Sequence, residues 1–161
     1  MRLPASTLPF CLLASVYLGA SPGFRLHAAK TGARAEYVGG TLSSFVSGTS
    51  GRIVTTDPGL FLFASKGPSV QVPYESVSLL EYGQRVGRRY ALAILISPVL
   101  LLSKSRRHFL TISYVDEDGR RQAMVFQIHK EDVRSVLASL SARTGLRVEY
   151  QDEEARKMGG G

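Results

Sequence analysis

The sequence is poor in the residues that form disulfides and metal centres. Its 161 residues include one cysteine, Cys11, three histidines and no tryptophan. A single thiol cannot form an intrachain disulfide, and His27, His108 and His129 have no spacing typical of metal ligands. We therefore expect no disulfide framework, no bound metal ion and no cofactor.

Signatures of catalysis are also missing from the sequence. Residues 116–119 begin like a calcium loop, but the glutamate expected six residues after the glycine is replaced by Val125. Ser103, Ser105 and His108 lie close in sequence, without an elbow motif or an acid to orient a nucleophile and base. No phosphate-binding glycine loop is present. We therefore expect a binding protein and not an enzyme.

The composition is that of one globular domain with an excess of positive charge. Hydrophobic residues make up 44% and charged residues 20%, which excludes a disordered chain and predicts a single core at this length. Lysine and arginine total 20 against 13 acidic residues, giving a net charge of +7. This balance favours acidic partners, of which anionic lipid and nucleic acid are the two main classes.

The first thirty residues have the pattern of an export signal. Arg2 supplies a short positive start, residues 8–20 form an uncharged apolar core, and small residues follow. We expect residues 1–29 to be a signal peptide or an N-terminal anchor, which places the domain outside the cytoplasm, periplasmic or extracellular, and in association with a membrane. Lipidation of Cys11 is not expected, because this residue precedes the end of the apolar core.

From residue 30 onward the chain shows short strand patterns separated by turns. Gly39 and Gly40 suit a bend or bulge, and Asp118 with Gly119 is a strong hairpin signal. We count six to eight strands among nine candidate stretches. These are 35–38, 41–46, 52–56, 60–64, 70–73, 76–82, 109–115, 121–128 and 147–150.

One amphipathic helix follows the last long strand. Its apolar residues recur at the spacing of one helical face, with Glu131 and Asp132 in the predicted first turn and Gly145 at the predicted stop. Residues 151–161 are polar and are expected to form a flexible tail. The apolar face consists of Val133, Val136, Leu137 and Leu140.

This order of elements resembles the bacterial pleckstrin-homology-like superfamily, including its GRAM-type branch. Residues 51–57, 60–63 and 72–77, with the helix after the hairpin at 118–119, carry the resemblance, which spans about residues 35–145. It implies a mainly β domain over residues 30–150, a curled antiparallel sheet or barrel of about seven strands closed by a C-terminal amphipathic helix. Members of the superfamily bind phospholipid head groups or proteins, so the resemblance implies a binding module.

The most unusual stretch is residues 85–107, in which basic residues bracket the apolar run 91–102. We predict a short hydrophobic insert, residues 88–107, in helical form with an interruption at Pro98. Twelve helical residues span about 18 Å, which is too short for the ~30 Å hydrocarbon core of a bilayer. Insertion into one leaflet is still feasible. The predicted membrane contacts are Arg85, Arg88, Arg89, Leu92, Leu95, Ile96, Leu100, Lys104, Arg106 and Arg107.

Two alternatives to membrane contact follow from the same residues. Residues 91–102 would be buried against the sheet, or would meet a partner protein, with the arginines simply solvated. Nucleic acid is not expected, because only Tyr90 and Phe109 offer aromatic rings near the basic residues and the chain has an export pattern. The prediction is thus a non-catalytic module on an anionic membrane surface, with a second protein as the alternative partner.

Overall fold

The computed structural model of the chain describes residues 32–84, 107–151 and 153–160. These residues form eight β-strands and two α-helices, with 3-10 turns at Tyr74–Ser76 and Lys130–Asp132. Across these ranges no helix is long and apolar enough to span a membrane. In chain order, the elements are β1 Ala33–Gly40, β2 Thr49–Val54, β3 Leu60–Ser65, β4 Ser69–Pro73, β5 Val77–Gly83, β6 His108–Val115, β7 Arg121–Ile128, α1 Val133–Thr144, β8 Glu149–Tyr150 and α2 Glu153–Gly159.

All eight strands belong to one mixed sheet with the order β4-β3-β2-β1-β7-β6-β5-β8. Neighbouring strands are antiparallel, except that β8 runs parallel to β5. The sheet is not closed, since β4 and β8 form its two edges. The predicted mainly β fold with a C-terminal helix is confirmed. The eighth strand, beyond the seven or so expected, is a two-residue pairing of Glu149 and Tyr150 with β5.

The inner face of the sheet carries an aromatic core that α1 covers. Phe63 and Phe126 pack with ring centroids 4.7 Å apart, and Tyr37 meets Phe126 edge-on at 5.9 Å. The predicted apolar face of α1 is buried in the same cluster. Helix α1 ends at Gly145, whose φ of 72° is readily adopted by glycine and whose N–H donates to the carbonyl of Ser141. The helix prediction is therefore confirmed, including its stop.

The predicted strand 41–46 is wrong, because the chain forms a loop there. Strand β1 continues to Gly40 through a register shift against β7 between Tyr37 and Gly39, which is the bulge expected at the paired glycines. Hydrogen bonds hold the loop: Thr41 N–H donates to the carbonyl of Ala123, and the Ser47 hydroxyl donates to that of Val38. From this loop the side chain of Phe45 enters the core.

The C-terminal segment differs from the flexible tail expected for residues 151–161. Helix α2 occupies most of it, and the side chain of Ala155 is completely buried. Arg134 of α1 donates to the carbonyl of Met158, which joins the two helices. Ala155, the partly buried Met158 and the hydrogen bonds from Arg134 dock this segment on the domain.

Candidate functional site

Arg107 is the predicted membrane-contact residue that lies within the described ranges. It immediately precedes β6 and is partly buried. Its guanidinium donates to the side-chain oxygen of Gln127 at 3.0 Å. The other predicted contacts lie outside the described residues, as does the predicted leader, residues 1–29. They are Arg85, Arg88, Arg89, Leu92, Leu95, Ile96, Leu100, Lys104 and Arg106.

Residues 85–106 are attached to one end of the sheet. Strands β5 and β6 are antiparallel neighbours, and Gly83 lies opposite Phe109. Gln84 and Arg107, the described residues that flank the segment, therefore both lie at the same end of this strand pair. We call this end of the β5–β6 pair the junction end. Both described ends of the segment are thus attached to one end of the sheet.

The junction end contains a partly buried tyrosine–histidine contact. The phenol oxygen of Tyr82 lies 2.6 Å from Nδ1 of His108, and the two rings are nearly parallel, with an angle of 4°. Tyr150 meets the Tyr82 ring edge-on at 6.2 Å. Burial lowers the pKa of His108, and the positive charge of Lys130 lowers it further, against a smaller opposite effect of Glu131. Both effects favour the neutral imidazole, which links β5 to β6 through its contact with Tyr82.

Exposed charges surround this contact. Strand β7 ends at Ile128, which lies opposite His108, and the following residues His129, Lys130 and Glu131 are all exposed. Lys130 and Arg107 therefore place positive charge at the junction end, next to the residues that flank the segment. An exposed cation is attracted to an anionic surface, and the nearby carboxylate of Glu131 reduces this attraction locally.

The C-terminal segment is fastened to the same end of the sheet. The backbone N–H of Gln151 donates to the carbonyl of Tyr82, and its side-chain amide donates to the carboxylate of Glu81 at 2.8 Å. The Gln151 side chain occupies the space where a side chain at position 83 would project, so a larger residue there would have to displace this flexible side chain. This attachment was not predicted from the sequence.

A shallow groove lies near the start of α1, with a volume of about 270 Å³. Hydroxyl groups of Thr55, Thr56 and Ser135 line part of it, together with Asp132. The carboxylate of Asp132 already accepts a hydrogen bond from the backbone N–H of Arg34. The groove is open and its lining is more apolar than polar, and the carboxylate of Asp132 is engaged by the protein itself.

The described residues offer no arrangement typical of a metal centre. Within them, no group of three or more histidine, cysteine, aspartate or glutamate side chains is placed to hold an ion. The distinctive chemistry at the junction end is instead the Tyr82–His108 contact and the adjacent cations. Comparison with models of known protein families gives no match, and neither does a search of curated proteins.

Proposed function

We propose that this chain is a non-catalytic, pleckstrin-homology-like binding module that attaches peripherally to an anionic membrane surface through residues 85–107. The observation that carries the proposal is the attachment of this segment at the junction end, between Gln84 and Arg107. Fixing the two ends of a basic-apolar-basic segment removes part of its conformational freedom before binding, which favours binding. Its cations act together with Lys130 at the same end.

The superfamily assignment in this proposal is supported by the order of elements. Seven antiparallel strands precede one long helix, and the apolar face of that helix packs against the inner face of the sheet. An exported location, periplasmic or extracellular, belongs to the same proposal and is supported by the leader pattern of residues 1–29. Members of the superfamily bind phospholipid head groups or proteins, and the binding role is proposed by analogy with them.

Cosedimentation of the full chain with vesicles tests the proposal. We expect binding to vesicles containing phosphatidylserine, no binding to phosphatidylcholine alone, and a loss of binding as salt rises. Combined Arg88→Gln, Arg89→Gln and Arg106→Gln substitutions remove three cations worth about 1 kcal/mol each, so binding should weaken roughly a hundredfold.

A control variant has the same net charge as this triple variant but loses three cations in other parts of the domain. Lys66, Arg120 and Arg121 are exposed and lie at or beside the β3–β4 and β6–β7 turns, not at the junction end, so their replacement by glutamine should change vesicle binding far less. Equal losses in the two triple variants would show that net charge alone drives binding. Absence of binding to both kinds of vesicle at low salt would reject the proposal.

The alternative is an exported protein-interaction module in which residues 91–102 are buried against the domain or at a partner interface. One observation favours it: the central strands are buried on both faces of the sheet. Leu95→Asp separates the two functions. A lipid-facing leucine should lose vesicle binding without a change in melting temperature, whereas a buried one should lower the melting temperature strongly.

A further inference from the structure

The edge strand β4 directs part of its backbone away from the sheet. It pairs with β3 on one side, and among the described residues no strand lies on its other side. Hydrogen bonds alternate along an antiparallel pair, so one bond fixes which groups face each side. Because the N–H of Tyr74 donates to the carbonyl of Gly59, in register with the β3–β4 pairing, the two valines of β4 bond to β3. The outward-facing backbone groups are therefore those of Ser69, Gln71 and Pro73.

These outward positions are accessible and uncharged. Ser69, Gln71 and Pro73 are all exposed, whereas Val72 has no exposed surface. Proline at position 73 is suited to an edge, since its missing N–H would have pointed away from β3. Within the described chain, two N–H groups and three carbonyls on the open side of β4 thus have no strand to pair with.

The two edges of the sheet differ in how they are protected. Proteins protect an open edge with short strands, charged residues, bulges or a covering element. Strand β8 is two residues long, contains the exposed Glu149 and is followed closely by α2. Strand β4 has five residues, no charged side chain and a regular register with β3. Its protective feature is Pro73, at the end of the strand, so most of this edge is open to pairing.

We propose that β4 pairs with β4 of a second copy of this chain, in antiparallel orientation about a two-fold axis at Gln71. This register aligns all five residues of each strand. The two Gln71 residues exchange a pair of backbone hydrogen bonds, and the N–H of Ser69 in each copy donates to the carbonyl of Pro73 in the other. Every outward N–H group of the two strands then has an acceptor, and one continuous sheet runs through both copies.

The charges at the two ends of β4 favour a second copy as the partner. Lys66 precedes the strand by three residues and Glu75 follows it by two, and both side chains are exposed. Antiparallel pairing places the start of one strand beside the end of the other, so Lys66 of each copy lies at the same end as Glu75 of the other copy. A two-fold axis repeats this match at both ends of the paired strands. Parallel pairing would place like charges together instead.

This inference goes beyond the proposed function and does not rest on it. Strand β4 forms one edge of the sheet, while β5 and β6, which carry the junction end, lie towards the other edge. Self-pairing and vesicle binding can therefore fail separately. A monomer that binds anionic vesicles would reject the self-pairing alone, and a dimer that binds no vesicles would reject the proposed function alone.

Sedimentation equilibrium of the full chain, over a range of protein concentrations, tests the pairing. We expect a reversible equilibrium between monomer and dimer. Gln71→Pro removes the central outward N–H without removing a bond to β3, and it should weaken dimerisation about a hundredfold. Gln71→Ala keeps this N–H and should dimerise like the parent chain. A parent chain that stays monomeric, or a dimer that tolerates Gln71→Pro, would overturn the inference.

Charge reversal gives an answer even where the proline variant does not fold. Lys66→Glu and Glu75→Lys each place like charges at both ends of the paired strands, and each should weaken dimerisation about tenfold. The double variant restores opposite charges and should recover the dimerisation of the parent chain. Glu149→Lys, on the opposite edge of the sheet, is the control and should have little effect. Losses that simply add in the double variant would overturn the inference.

Disulfide formation locates the two-fold axis. In a Cys11→Ser background, Gln71→Cys places two thiols opposite each other in the dimer. The Cα atoms of a hydrogen-bonded antiparallel pair lie about 5.5 Å apart, which is within the range that a disulfide spans. Oxidation should link these chains, and Ser78→Cys, at an exposed position of β5, should give about tenfold less of the linked dimer. Equal yields at the two positions would overturn the inference.

Discussion

The phenol oxygen of Tyr82 lies 2.6 Å from Nδ1 of His108 and joins β5 to β6 beside the point where residues 85–106 are attached. Tyr82 is completely buried, and the contact adds to the backbone pairing of Gly83 with Phe109. The two ends of the segment are therefore fixed by a side-chain link as well as by the strand ladder. This contact also makes the junction end sensitive to pH.

Acidification should destabilise the domain through His108. Burial lowers the pKa of this imidazole in the folded state, so the unfolded chain binds the proton more readily. Stability is then fully present above the ordinary pKa of 6.5, falls as the pH drops below it, and levels off below the folded-state pKa. The melting temperature, measured from about pH 8 to about pH 5, should decrease over this window.

His108→Gln should flatten this pH dependence, because an amide does not titrate in the window. His129→Gln is the matched control, since His129 is exposed and should leave the slope of the parent chain unchanged. A pH dependence that persists in the His108 variant and disappears in the His129 variant would contradict the assignment.

The hairpin between β6 and β7 should depend on Gly119. This residue has a φ of 76°, and a methyl group added there would meet no neighbouring atom, so any cost of Gly119→Ala comes from the backbone conformation. We expect a loss of about 1 kcal/mol in the free energy of unfolding, measured by urea denaturation.

Gly67→Ala is the control for this position. It also places a methyl group in open space, but Gly67 has no positive φ. The substitution should be neutral or stabilising by about 0.5 kcal/mol, because alanine has less freedom in the unfolded chain. Equal effects at the two turns would reject the conformational explanation.

Helix α1 should contribute much of the core stability through Leu140. This side chain has no exposed surface and lies in the main cluster. Leu140→Ala should lower the free energy of unfolding by about 2–5 kcal/mol, since it removes buried methyl groups and leaves a cavity. Leu62→Ala, at a partly exposed site on β3, should cost clearly less in the same denaturation experiment.

The docking of α2 makes a prediction for Ala155. Because this side chain is completely buried, Ala155→Asp should force a carboxylate into the core or undock the helix, and the melting temperature should fall. Ala138→Asp introduces the same side chain on the exposed surface of α1 and should have a small effect. Equal melting temperatures for the two variants would show that α2 does not contribute to stability.

The strands and the long helix follow from local patterns in the sequence. The alternation of Phe109, Thr111 and Ser113 with Leu110 and Ile112 predicted β6, and the Asp118-Gly119 pair predicted the hairpin. Both elements are present. Such predictions are reliable because the alternation of side chains in a strand and the residue preferences of a turn depend on only a few neighbouring residues.

Features that depend on contacts between distant residues were not predicted. The side chain of Phe45 is buried from a loop, Ala155 is buried in a polar helix, and Tyr82 meets His108 across two strands. Nothing in the neighbouring sequence of any of these residues specifies its partner. The burial of Phe109 and Thr111, on the face of β6 opposite the main core, was not predicted for the same reason.

The position of β1 in the middle of the sheet determines when this domain can fold. Glu36 lies opposite Gln127, so the first strand of the described chain pairs with a strand made some ninety residues later. Contacts that join distant parts of a chain form slowly, because a large loop must close first. Strands β1–β4 can pair with one another first, but the side of β1 that pairs with β7 stays unpaired until β7 has been synthesised. The domain is therefore built to fold after its synthesis is nearly complete.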